Sequence, residues 1–292
     1  SRYPIRGIKG PVGTAQDSVD LLGSSASHAK LEGEVAKYLG FENVLDSTGQ
    51  IYPRSFDFDV VTTLVQLAAA PSSLATSIRV MAGAELVTEG FKAGQVGSSA
   101  MPHKMNTRSC ERVNGLAVVL RGYASMVGEI SGDQWNEGDV ACSVVRRVAI
   151  ADAFYAFDGL IETFMTVLIE FGAFPDVIEA ELTKYLPFLA TTKILMAAVK
   201  AGVGREVAHE VIKEHAVAAA LGIRAGKPNL MIQAIAEDSR IPLKFEELTA
   251  LLAKPLEFTG DAKGQTQRVV SRIDAITSAH AAAAQYRPGQ IR

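Results

Sequence analysis

Residues 97–106, which read GSSAMPHKMN, bring several chemically active side chains close together. The segment holds two hydroxyls, an imidazole, an amine and an amide. Glycine adopts backbone angles that other residues avoid, and proline is excluded from a helix interior. We therefore predict a loop between two helices. Such a loop can carry chemistry on a rigid scaffold, although an ordinary polar connector has a similar composition.

Two kinds of chemistry suit a serine, a lysine and an asparagine in one loop. A cation such as Lys104 favours the alkoxide of a nearby serine, which could then act as a base. Lysine and asparagine can also bind a carboxylate whose charge grows as a neighbouring carbon loses its proton. Alternatively, the serine is a nucleophile and the lysine is its base, as in acyl transfer. The loop residues by themselves leave both schemes open.

The composition excludes several other classes of protein. With 292 residues and 48% hydrophobic content, the chain can bury the core of one or two domains. A net charge of −3 provides no basic field for nucleic acid or an anionic membrane. The two cysteines, Cys110 and Cys142, suit a reducing cytosol, and we expect both to be buried. We also expect no secretory signal and no membrane-spanning segment.

Helical periodicity dominates the chain and predicts an all-α fold. The longest predicted helix runs from Ser143 to about Phe171 and has apolar residues around much of its circumference. Such a helix must be buried by several neighbours, as in a bundle or the core of an oligomer. Another long helix is predicted from Asp57 to Glu89, interrupted or kinked at Pro71.

The loop sequence GSSAMPHKMN resembles the GSSxMPxKxN signature of the fumarase/aspartase superfamily, whose members eliminate fumarate from succinyl-type substrates. The resemblance favours the proton-abstraction scheme and implies that Ser98 is the base. It implies that Lys104 and Asn106 bind the substrate carboxylate. In the same way, Ser99 is given a supporting role, and Glu111 is expected to pair with the lysine.

Other segments are similar to the adenylosuccinate lyases within that superfamily. The segments that carry this similarity are RGIKGPVGT at 6–14, STGQIYPR at 47–54 and LPFLAT at 186–191. The resemblance implies that Gln50 and Arg112 contact the substrate. Ser143 and Arg147 match an SxxRR pattern, and the guanidinium of Arg147 is suited to bind the substrate phosphate.

Three positions depart from the family pattern. Thr107 replaces a proline after the loop, and the order Ala15-Gln16 is reversed, so no role is assigned to that pair. Gly138 stands where relatives have a phosphate-binding arginine, which leaves Arg147, the neighbouring Arg146 or residues outside this sequence to contact the phosphate. The sequence leaves open whether Arg146 forms a structural salt bridge or touches the substrate.

The resemblance also implies an architecture. We expect a fumarase-type long-helix bundle domain over residues 1–173, incomplete at its N-terminus, with the signature loop at 94–107. A smaller helical domain is expected over residues 174–292. Family sites are shared between the subunits of a homotetramer, and an N-terminal domain supplies a general-acid histidine that this chain lacks. The chain alone is therefore expected to be inactive.

The implied function is the elimination of fumarate from adenylosuccinate in purine nucleotide biosynthesis, in the cytoplasm. The related succinyl-aminoimidazole-carboxamide ribotide is an expected second substrate. The resemblance implies no cofactor and no metal. Two alternatives remain: another fumarate-releasing lyase such as argininosuccinate lyase, or a noncatalytic helical domain kept for oligomerisation.

Overall fold

A computed structural model of the protein describes residues 3–90, 100–101, 103–133 and 139–289. The described residues form α-helices with two very short strands, and the predicted all-α class is confirmed. The elements up to residue 173 are α1 Gln16–Leu22, α2 Ser25–Tyr38, α3 Ser55–Gly83, β1 Val87–Thr88, α4 Arg108–Glu129, α5 Val140–Glu170 and β2 Gly172–Ala173. The remaining helices are α6 Pro175–Leu189, α7 Thr191–Lys200, α8 Arg205–Arg224, α9 Met231–Ala236, α10 Phe245–Leu252, α11 Ala262–Ala279 and α12 Ala281–Ala284, with a 3₁₀ turn at Pro255–Thr259.

The contacts within the chain define two compact units. The first extends to Gly172 and takes in the chain again from Pro288, and the second is Ala173–Arg287. Near the start of the first unit, Ile5 and Val44 form an isolated parallel bridge.

The first unit is built on α3, α4 and α5, which pack against one another along most of their length. On α4 the buried residues Val113, Ala117, Leu120 and Val127 recur at intervals of three, four and seven, which places them on one face. Burying a side chain such as Leu120 contributes roughly 1.5–3 kcal/mol. This packing makes the three helices a rigid frame for the loops at their ends.

Helix α3 passes through Pro71 without interruption and ends at Gly83 rather than Glu89. Pro71 is buried, and packing against α4 and α5 outweighs the loss of one backbone hydrogen bond. Within the described ranges, α3 is also long and apolar enough to cross a bilayer by length and composition alone. Because the core helix of a bundle passes the same test, this is weak evidence for a membrane span.

Helix α5 begins at Val140, three residues before the predicted start. The carboxylate of Asp139 accepts a hydrogen bond from the Ala141 amide at 2.7 Å and caps the helix there. Within the described part of the chain, α5 is buried on one side only. Its large exposed apolar residues are Val140, Val144, Val148, Phe154, Tyr155, Leu168 and Ile169.

The second unit has its own core. Helices α7 to α10 bury Ile194, Val211, Met231, Ile235 and Leu248 completely. At its surface, Asp238 bonds to His215 at 2.9 Å and to Arg240 at 2.7 Å.

Candidate active site

The predicted base lies outside the described residues. The same holds for Ser99 and for Gly138, the position at which the resemblance implied an arginine. The roles assigned to Ser98, Ser99 and position 138 therefore stay predictions.

The second half of the signature loop leads directly into α4. The Lys104 amide donates to the Met101 carbonyl at 3.1 Å, and the Lys104 side chain is exposed while Asn106 is half-buried. Glu111 is exposed in the first turn of α4. Among the ion pairs of the described residues none joins Lys104 to Glu111, so their pairing stays a prediction.

A buried carboxylate before the loop caps the helix that follows it. Glu89 is 8% exposed, and its two oxygens accept hydrogen bonds from the amides of Ser109 and Cys110, each at 2.8 Å. The first amides of a helix have no partner within it and carry partial positive charge, which suits a carboxylate. Thr107 occupies the cap position but makes no side-chain cap bond. Glu89 thus joins the two ends of the loop, a role that the sequence did not reveal.

Cys110 is fully buried beside this carboxylate. Burial, together with the hydrogen bond to Glu89, raises the pKa of its thiol to about 12. The thiol therefore stays protonated and packs as a small apolar group. The predicted burial of Cys110 and Cys142 is confirmed.

The segment that contains Gln50 is held tightly by the N-terminal residues. The guanidinium of Arg6 donates twice to the Gly49 carbonyl, at 3.1 and 2.7 Å. On the other side, Gly13 has a φ of +82°, and a Cβ there would lie 2.0 Å from the Thr48 carbonyl oxygen. Only glycine fits such a close approach. These contacts fix the backbone around Gln50 while its side chain stays exposed.

A buried polar network continues from this segment into the bundle. We define it as Tyr52, Arg54, Asp57 and Arg146. The Asp57 carboxylate, 4% exposed, accepts from Arg146 Nε at 2.6 Å and from the Tyr52 hydroxyl at 2.7 Å. Burial and the Asp57 carboxylate raise the pKa of Tyr52, so the phenol stays protonated. Arg146 therefore forms a structural salt bridge, one of the two alternatives that the sequence left open.

Ser143 and Arg147 lie one turn apart on the same face of α5. Arg147 is exposed, and Ser143 is half-buried. Because Arg146 bonds to the Tyr52 hydroxyl, this turn of α5 lies next to the Gln50 segment. The structure thus brings Gln50, Ser143 and Arg147 to one end of the bundle.

Lys104, Asn106 and Arg112 belong to the opposite end. Arg79, near the end of α3, donates to the Asn114 side chain in the first half of α4 at 2.9 Å. By contrast, Asp57 and Arg146 mark the beginning of α3 and of α5. Helix α4 has 22 residues and, at about 1.5 Å per residue, spans about 33 Å. Within one chain, the two groups of predicted residues are therefore separated by most of the bundle length.

Comparison with known proteins places the chain in a family. Residues 187–269 match the model described as adenylosuccinate lyase C-terminus, and residues 22–122 match a lyase model. The adenylosuccinate lyase of Saccharomyces cerevisiae is 35% identical over 92% of this chain and 56% of its own length. The Schizosaccharomyces pombe enzyme is 34% identical over 92% of this chain and 56% of its own length. The chain belongs to the adenylosuccinate lyase family.

Solved structures agree on the fold. The 3-carboxy-cis,cis-muconate lactonizing enzyme of Pseudomonas putida matches with a TM-score of 0.71 at 19% identity, over 93% of this chain and 58% of that one. A fumarate lyase of Mesorhizobium sp. BNC1 matches with a TM-score of 0.67 at 18% identity, over 85% of this chain and 53% of that one. This adenylosuccinate lyase family member spans a little over half the length of the curated relatives given above.

Sequence reasoning missed the residues that support the site in this family member. These residues are charged, and they form hydrogen bonds with residues that are distant in the sequence. The partner is 43 positions away for Arg6, 89 for Asp57, and 20 and 21 for Glu89. Arg6 was visible only as part of a family-like segment. Asp57 and Glu89 were visible only as the ends of a predicted helix, so nothing in the local pattern indicated their bonds.

Proposed function

We propose that this chain is part of an adenylosuccinate lyase, which eliminates fumarate from adenylosuccinate and leaves AMP. The curated relatives that carry this name support the proposal. The observation that carries it is the braced TGQIYPR segment, whose Gln50 lies beside the turn of Arg147. The succinyl-aminoimidazole-carboxamide ribotide is proposed as a second substrate, because it carries the same succinyl group from which fumarate is eliminated.

In the proposed reaction Ser98 removes a proton from the succinyl carbon next to a carboxylate. Lys104 and Asn106 bind the carboxylate as it takes up the electron pair, which lowers the barrier to proton removal. The carbon–nitrogen bond then breaks, the electron pair forms the double bond of fumarate, and an acid protonates the purine nitrogen. At the other end of the substrate, Arg147 and Ser143 bind the phosphate and Gln50 contacts the nucleotide.

The separation of the two residue groups supports a shared active site. One group lies at each end of a bundle about 33 Å long, so one chain cannot offer both to a single nucleotide. Copies packed side by side would bring opposite ends together. The exposed apolar side of α5 suits such packing, because exposed apolar patches of this extent mark interaction surfaces. We propose a homotetramer in the cytoplasm whose general-acid histidine comes from a domain outside these residues.

The test uses the full-length protein and the absorbance change on adenylosuccinate. Replacing the proposed base, Ser98→Ala, should lower turnover by roughly 10²-fold or more. Ser99→Ala, the matched hydroxyl deletion in the same loop, should have a much smaller effect. Unchanged turnover in Ser98→Ala would refute the assignment. Turnover of argininosuccinate instead would favour the other lyase, and a folded oligomer that converts neither substrate would favour the noncatalytic alternative.

A further inference from the structure

We propose that Asp57 is a positioning residue of this site: through Tyr52 and Arg146 it sets the relative position of the Gln50 segment and the Arg147 turn. This inference rests on the proposed function. The proposal assigns a role to the Asp57 carboxylate, which is buried and so contacts neither the substrate nor the reacting atoms.

Three separate parts of the chain meet at the Asp57 carboxylate. Oδ1 accepts from the Tyr52 hydroxyl at 2.7 Å, and Oδ2 accepts from Arg146 Nε at 2.6 Å. Arg146 also donates to the Tyr52 hydroxyl, which closes a triangle of hydrogen bonds. Asp57 itself lies in the first turn of α3. One carboxylate thus connects the loop before α3, the start of α3 and the start of α5.

This triangle restricts the groups that would contact the nucleotide. Tyr52 lies two residues after Gln50, whose backbone Arg6 already holds from the other side. Arg146 immediately precedes Arg147 on α5, so fixing the Arg146 guanidinium fixes the rotation of that helical turn. Arg147 then projects about 100° away around the helix, and it is exposed.

The charges in the network indicate that Asp57 is its central member. Arg54 Nη1 lies 3.7 Å from Asp57 Oδ2, and the Arg54 guanidinium lies 4.9 Å from the Tyr52 ring centroid. Arg54 and Arg146 are therefore two cations that share one carboxylate. Removing the charge of Asp57 takes the carboxylate out of its salt bridge with Arg146, and the geometry of Tyr52 and Arg146 relaxes.

The experiment compares two substrates that differ only in the phosphate. For the full-length enzyme, kcat/KM is measured on adenylosuccinate and on its dephosphorylated form, succinyladenosine, and their ratio reports phosphate recognition. If Asp57 positions Arg147, Asp57→Asn should lower this ratio by about tenfold, since one charge-assisted hydrogen bond of the network is lost. In an Arg147→Ala background the same substitution should leave the ratio nearly unchanged.

Asp59→Asn is the matched control. Asp59 lies two residues further along α3, is half-buried and accepts from the Tyr3 hydroxyl at 2.8 Å. The control should keep the wild-type ratio. If Asp57→Asn does not fold, Tyr52→Phe decides the question, because it deletes the two bonds that the Tyr52 hydroxyl makes in the triangle and keeps the ion pair between Asp57 and Arg146. A lowered ratio in this variant supports the proposal.

The possible failures can be told apart. A folded Asp57→Asn enzyme with lower thermal stability but the wild-type ratio has lost only a structural contact, and this result would overturn the positioning role. The wild-type ratio in Tyr52→Phe, where that variant decides, would overturn it as well. A full-length wild-type enzyme that does not convert adenylosuccinate would instead overturn the proposed function, and the role of Asp57 with it.

Discussion

Glu89→Gln should lower the free energy of unfolding by about 2 kcal/mol. Glu89 is 8% exposed and accepts two amide hydrogen bonds of 2.8 Å at the start of α4. A hydrogen bond to a charged group contributes about 1.5–3 kcal/mol, and a charge at a helix N-terminus adds about 0.3–1 kcal/mol. Glutamine has one oxygen acceptor, so its amino group faces the second amide and one buried N–H loses its partner. Glu89→Ala removes both acceptors and should cost about 3–4 kcal/mol.

The measurement is denaturant unfolding followed by far-UV circular dichroism, at equal protein concentration because the stability of an oligomer depends on concentration. Glu129→Gln is the control, since Glu129 is exposed at the other end of the same helix. It should change the unfolding free energy by no more than about 0.5 kcal/mol. If Glu89→Gln is as stable as the control, the carboxylate is not an effective cap and the reasoning is refuted.

Two further predictions concern titratable groups. Hydrogen bonds from Arg240 and His215 hold the pKa of Asp238 well below its usual range. The unfolded chain then binds more protons, so this stabilisation is complete above the ordinary Asp pKa of about 4 and is lost as the pH falls below it. Asp238→Asn should therefore flatten the decline in unfolding free energy below about pH 5, and an unchanged slope in denaturant titrations would contradict this. Cys110, fully buried with a pKa of about 12, should be alkylated by iodoacetamide at pH 8 about 10³-fold more slowly than in the unfolded chain. Mass spectrometry of the Cys110 peptide measures this rate, and rapid labelling of the folded protein would refute it.

The fold was predictable to the extent that it depends on local spacing. Apolar residues at helical intervals predicted the two long helices that correspond to α3 and α5. Helix α5 was predicted with a later start, because the Asp139 cap was not recognised. Pro71 predicts an interruption or a kink in α3. The helix nevertheless continues through Pro71, because α3 packs against both α4 and α5.

The site was predictable as a set of residue types but not as an arrangement. Resemblance to the family motifs identified Ser98, Lys104 and Gln50 as site residues. It gave no indication of the roles of Asp57 and Glu89. Their bonds join residues that are far apart in the sequence, at separations of 89 between Asp57 and Arg146 and of 20 between Glu89 and Ser109. Such pairs form only after the helices pack, so no local pattern encodes them.

By itself the sequence determined the helical class, the family signature and the residues with the right chemistry, because side-chain periodicity and motif spacing are properties of short stretches of chain. Only the tertiary structure decided which of these residues are neighbours. The order in which α3, α4 and α5 reverse direction places Gln50 and Arg147 at one end of the bundle and Arg112 at the other. That separation follows from burying apolar faces between helices that are distant in the sequence, and it is the observation that supports the proposal of a site shared between chains.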